Sequence, residues 1–152
     1  SKKYPFKDVY EAASLSGKKD KKTLKRQLKL LKCKNKIVRY WAILGLMSHD
    51  KNVLENYMKE LYNTLQDSYP PVKITAAAMV YEFFGDEKAI KILKNYSNSQ
   101  DANLALMTIN YLLYVKNKNP FTATIKLVKE KPNHPYQVKA ACSDFLALLE
   151  NY

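Results

Sequence analysis

Four nine-residue stretches of this chain line up on one pattern: VRYWAILGL from Val38, VKITAAAMV from Val72, LALMTINYL from Leu104 and VKAACSDFL from Val138. Their starts are 34, 32 and 34 residues apart. A recurrence of that length is the mark of stacked helical repeats, in which each unit buries its apolar face only against its neighbours. The first column (Val38, Val72, Leu104, Val138) and the ninth (Leu46, Val80, Leu112, Leu146) are aliphatic. The fifth (Ala42, Ala76, Thr108, Cys142) is small. Columns four apart share one helix face, and a small residue in the middle lets a neighbouring helix come close. The second column is basic at Arg39, Lys73 and Lys139, with Ala105 in the third stretch. Trp41, the only tryptophan, is expected to be a core or interface aromatic.

A second amphipathic segment precedes each stretch. Its stripes are Leu24, Leu28 and Leu31, then Leu54, Met58, Leu61 and Leu65, then Ile90, Leu93 and Tyr96, then Phe121, Ile125 and Val128. Gly17 and Gly85 read as C-terminal stops, Asp86 and Asp101 as N-caps, and Pro71, Pro120 and Pro135 as first-turn residues. With only three glycines in 152 residues, long stretches lack a breaker. The expected fold is all-α, a right-handed α–α superhelix of four helix pairs plus a lead N-terminal helix. As one domain over 1–152, it places the lead helix at 7–16 and the repeats at about 20–48, 51–84, 86–115 and 120–150.

The formal net charge of +12 is unevenly distributed. Residues 1–39 hold fourteen Lys and Arg against Asp8, Glu11 and Asp20, a net of +11, whereas residues 40–152 hold twelve basic and eleven acidic residues. On the helix starting near Lys21, the residues Lys22, Lys25, Arg26, Lys29 and Lys32 are expected on one face, opposite the leucine stripe. That face is either a solvated outer surface or an anion-binding and domain-docking stripe.

No catalytic or metal-binding constellation is visible. His49 and His134 are 85 residues apart, both in expected turns, and metal ligands come in groups. Cys33 and Cys142 fall in the first and last repeats and read as free, mostly buried thiols rather than a disulfide. Glu82, Asp86 and Glu87 cluster at a helix junction, where capping accounts for them. No glycine-rich phosphate loop exists, and no cofactor is expected. The longest uncharged apolar run, Tyr40 to Met47, is far short of the roughly 20 residues that span a bilayer. The chain begins at Ser1 without a Met or a visible signal peptide, so it reads as a processed or excised piece.

A helix reading Val-Arg/Lys-x-x-Ala-x-x-x-Leu resembles the second helix of a HEAT repeat. That resemblance implies a structural role for Arg39: stem packed, head near carbonyls or acids of a neighbour. YPFKDVYEAASLSGKKD, LKLLK, VRYWAILGL, PPVKITAAAMVYEFFG and LMTINYLL together are similar to the helical extension C-terminal to the catalytic domain of some secreted bacterial sulfatases, the sulfoglucosamine-sulfohydrolase-like group. The sharpest part is Arg39-Tyr40-Trp41-Ala42 with Gly45-Leu46, echoed by Asn110; Lys73 stands where Arg is expected. The sulfatase nucleophile motif is absent, since Cys33 is followed by Lys34-Asn35 and Cys142 by Ser143-Asp144.

The resemblance implies a non-catalytic interaction module in the periplasm or outside the cell. Its partner would be a sulfatase domain of the same polypeptide, another protein surface or a sulfated polyanion, with no membrane contact. The alternative is a cytoplasmic nucleic-acid-binding protein similar to HEAT-like DNA glycosylases. Against it stand the scarcity of Arg, the near-neutral later repeats and the lack of aromatics interleaved with the basic run.

Overall fold

A computed structural model describes residues 6–150 of the chain. Lys2 and Lys3 of the basic quarter, Tyr4-Pro5 of the opening motif, and the terminal Asn151-Tyr152 lie outside the described residues. Among the described residues the regular structure is entirely helical: α1 (Phe6–Leu15), α2 (Lys21–Leu30), α3 (Lys36–Leu46), α4 (Lys51–Leu54), α5 (Met58–Thr64), α6 (Pro70–Phe84), α7 (Glu87–Ser97), α8 (Ala102–Leu112), α9 (Thr122–Glu130) and α10 (Tyr136–Glu150). A 3-10 turn at Glu55–Tyr57 joins α4 to α5, and another at Asn119–Phe121 leads into α9. Counting α4 to α5 as one interrupted helix, the described residues form the nine helical segments read from the sequence.

Helix ends follow local chemistry. Asp20, Asn35, Asp86 and Asp101 accept backbone N–H groups of the first turns of α2, α3, α7 and α8, satisfying donors that the helix itself leaves open. Gly17 and Gly85 follow α1 and α6 at φ +88° and +63°, a region that costs other L-residues strain. Pro71 is the second residue of α6, Pro120 sits in the turn before α9, and Pro135 immediately precedes α10.

The chain forms two compact units, residues 1–76 and 77–152, and the division falls inside α6. In the first unit, α3 packs against both α1 and α2. Their shared core holds Ala12, Leu30, Val38 and Ala42, all buried, with Trp41 half-buried against it. In the second unit, α8 packs on α7 and α10, and α9 packs on α7 and α10. Its core includes Leu93, Ile109, Leu112, Phe121, Ile125, Val138, Cys142 and Phe145. The Tyr81 ring meets Phe121 edge-on at 4.8 Å, and the Tyr81 hydroxyl donates to the Asn117 carbonyl.

The aligned columns behave unequally. Val38, Ala42, Leu46, Val72, Ala76, Val80, Thr108, Leu112, Val138 and Cys142 are buried. Leu104 is only half-buried, while its neighbour Ala105 is fully buried. Leu146 is also half-buried, because Phe145 fills the corresponding core position. In α2 the inward residues are Thr23, Leu24, Gln27 and Leu30; Leu28 and Leu31 of the expected stripe are half-buried at its flanks. Met58 of the second stripe is exposed, since the 3-10 turn before α5 interrupts the helical period.

Candidate anion-binding surface

The basic face is built by the start of α2. The Asp20 carboxylate accepts the Thr23 N–H at 2.8 Å and the Thr23 hydroxyl at 2.7 Å, and these bonds hold the Asp20 carboxyl below its ordinary pKa. With the helix begun there, its period turns Thr23, Leu24 and Gln27 inward. Lys22, Lys25 and Lys29 are left exposed and Arg26 half-buried. α1 lies alongside, and the trough between the helices is lined by Glu11 and Leu15 on α1 and by Lys22, Lys25, Arg26 and Lys29 on α2. Lys18, from the connecting loop, completes the cationic lining, which comprises five cationic side chains against Glu11 and Asp20.

Within this groove one cation is paired. Arg26 donates from Nε to Glu11 Oε1 and from Nη2 to Glu11 Oε2 at 3.2 Å. The Arg26 guanidinium holds the Glu11 carboxyl below its ordinary pKa, and Glu11 in turn raises that of Arg26. Lys18, Lys22, Lys25 and Lys29 make no ion pair among the described residues. Lys32, the fifth member of the expected stripe, is exposed but lines a different depression, with Lys59, Glu60, Asn63 and Asp67. The stripe is therefore four residues in one groove, enlarged by Lys18, with the fifth set apart.

The basic column of the repeats is structurally mixed. Arg39 donates from Nε to Asp67 Oδ2 at 2.8 Å and from Nη2 to Oδ1 at 3.0 Å, while its Nη1 meets the carbonyls of Cys33 and Lys34 at 3.0 and 3.1 Å. Those contacts tie the loop after α2 and the loop after α5 to the first turn of α3. Lys73 and Lys139 are half-buried and form no ion pair among the described residues, consistent with a point charge that cannot make the two-pronged contact.

The remaining candidate groups make local contacts. Glu82 accepts the Lys116 N–H at 3.2 Å, and Asp86 caps α7. His134 and the Lys131 ammonium both meet Asn98 Oδ1, at 3.1 and 3.0 Å. Burial, and then the nearby Lys131 and Lys139, lower the His134 pKa. Among the described residues no three His, Cys, Asp or Glu side chains group as metal ligands. Cys33 and Cys142 are free, and burial pushes the Cys142 thiol up to about 11. No described helix is long and apolar enough to cross a membrane.

Two arrangements escape the sequence patterns. One is the Glu11–Arg26 pair, which joins residues fifteen apart across two helices. The other is a buried polar contact: fully buried Gln27 accepts from His49 Nε2 at 2.7 Å and donates from its own Nε2 to the Leu15 carbonyl at 3.3 Å. Because the amide nitrogen is committed to Leu15, Oε1 faces the ring, and neutral His49 carries its proton on Nε2. The available sequence signal was a polar residue, Gln27, between Leu24 and Leu30 on the inward face of α2.

In comparisons with known proteins, no family model matches this chain and no curated protein matches it.

Proposed function

We propose that this chain is a non-catalytic helical-repeat interaction module that docks on an anionic partner through the α1–α2 groove. The observation that carries the reading is the set Lys18, Lys22, Lys25 and Lys29, exposed around one groove and forming no ion pair among the described residues. Glu11 and Asp20 offset only part of the charge of this groove, and a polyanion meeting the remaining lysines releases its counterions. The proposed architecture is a HEAT-like α–α superhelix, supported by the recurring columns and by the all-helical order. The proposed setting is the C-terminal part of a secreted sulfatase, in the periplasm or outside the cell, supported by the sequence resemblance that is sharpest over Arg39–Leu46. In that setting the partner is an acidic surface of the catalytic domain or a sulfated glycan.

The test is retention on immobilised heparin across a salt gradient. The wild-type chain is expected to bind at low salt and to elute early, because surface lysines act through screened charge. The variant Lys22→Glu, Lys25→Glu, Lys29→Glu is expected to lose retention while keeping its helical circular dichroism, since the inward face of α2 is untouched. Undiminished retention by the folded variant would refute the reading.

A further inference from the structure

Arg26 is the one arginine in the groove and one of two in the chain. Its fork is engaged by Glu11, yet the pair is open to the groove: the Arg26 and Glu11 side chains are 40% and 38% exposed. The other arginine pair, Arg39–Asp67, is sealed at 14% and 9%. Glu11 therefore sits where contents of the groove can reach it, and it presents to Arg26 the paired oxygens that a sulfate group also presents.

Lys22, Lys25 and Lys29 follow one another along α2 over about 10 Å of helix axis. That row suits a chain bearing anionic groups at intervals rather than a single small ion. The groove has a volume of about 690 Å³, and among the described residues no aromatic ring lines it. Single-stranded nucleic acid is gripped by stacking its bases on aromatic side chains, and the exposed aromatics of α1, Phe6 and Tyr10, are not among the residues lining the groove. A sulfated polysaccharide needs only the charges.

We propose that the α1–α2 groove takes a sulfated polysaccharide and that Glu11 competes with a ligand sulfate for the fork of Arg26. The inference rests on the anionic-partner reading above and goes further, because it assigns the geometry of one contact and a residue that opposes it. Glu11 lowers the affinity of the site in two ways. It adds a negative charge to the groove, and it must leave the guanidinium before a sulfate can take both N–H groups.

The experiment is a calorimetric titration of the full chain with a heparin oligosaccharide, using wild type, Glu11→Gln, Arg26→Lys and the double variant, each checked for an unchanged melting curve. Glu11→Gln is expected to bind about two- to fivefold tighter, the range set by a half-exposed ion pair. In that background Arg26→Lys keeps the charge but removes the fork, and is expected to return most of the gain. In the wild-type background, where Glu11 holds the fork, Arg26→Lys is expected to change affinity by less. Equal binding by Glu11→Gln and the double variant would overturn the fork contact and leave only a field effect. No gain from Glu11→Gln would overturn the competition. A single-stranded oligonucleotide of matched charge bound more tightly than the oligosaccharide would overturn the ligand class, and no binding by the wild type would overturn the anionic-partner reading as well.

Discussion

Gly45→Ala tests the packing of the first unit at a single atom. Gly45 is buried within α3, where alanine is the better helix former by about 1 kcal/mol, so on propensity alone the change stabilises. The added Cβ, however, would lie far inside van der Waals contact of Gln27 Nε2 and 3.0 Å from Gln27 Cδ. At a surface the end of a glutamine would swing away. Gln27 is fully buried and held at both amide atoms, by His49 and by the Leu15 carbonyl. Moving it leaves a buried imidazole N–H and a carbonyl without partners, at about 1–3 kcal/mol, and overpacking adds about 1–3 kcal/mol more. Less the propensity gain, the expected net effect is destabilisation of about 1–5 kcal/mol. Urea denaturation at constant m-value measures it, and the melting temperature should fall by about 2–4 °C for each kcal/mol. In a Gln27→Ala background the clash is gone, so Gly45→Ala should be neutral or stabilising there. A Gly45→Ala chain as stable as wild type, or additivity of the two substitutions, would refute the reasoning.

Arg39→Ala removes the fork on Asp67 and leaves that carboxylate, 9% exposed, with the Tyr69 N–H as its remaining hydrogen-bond donor; a loss of about 3 kcal/mol in the unfolding free energy, read from urea denaturation, is expected. His49 has a pKa lowered by burial and by Lys19, against the opposing pull of Asp20 and Asp50. Its unfolded form therefore takes up a proton before the folded form does. Stability from this group is full above about pH 6.5 and is lost as pH falls through the lowered folded value. The denaturation midpoint of wild type should fall more than that of His49→Gln between about pH 7 and pH 5. Cys142 is fully buried with its thiol pushed up to about 11, so iodoacetamide at neutral pH should label half-buried Cys33 first and reach Cys142 only on unfolding, as mass spectrometry of timed samples would show.

The amino-acid sequence by itself determined where most helices form and end, though not the break at Glu55–Tyr57 that splits the second segment and exposes Met58. Aspartates such as Asp86 and Asp101 cap the segments that follow them, Gly17 and Gly85 take the left-handed backbone that stops a helix, and apolar residues three and four apart mark the inward faces. These are local effects, decided within a turn or two of chain, so pattern alone carries them. The one basic quarter was legible for the same reason, because charge is additive along a sequence. Which cations remain unpaired was not. Arg26 finds Glu11, Arg39 finds Asp67 from 28 residues away, and Lys32 falls into a different depression from Lys29 although they are three residues apart. The inward turn of Gln27 and the tight approach of Gly45 likewise depend on the α2–α3 packing and on His49 in the turn beyond. Such pairings join groups distant in sequence, and their energies depend on burial and on angles fixed only when helices pack. Tertiary structure therefore decided which polar groups belong to the fold and which remain at the surface, able to meet a partner.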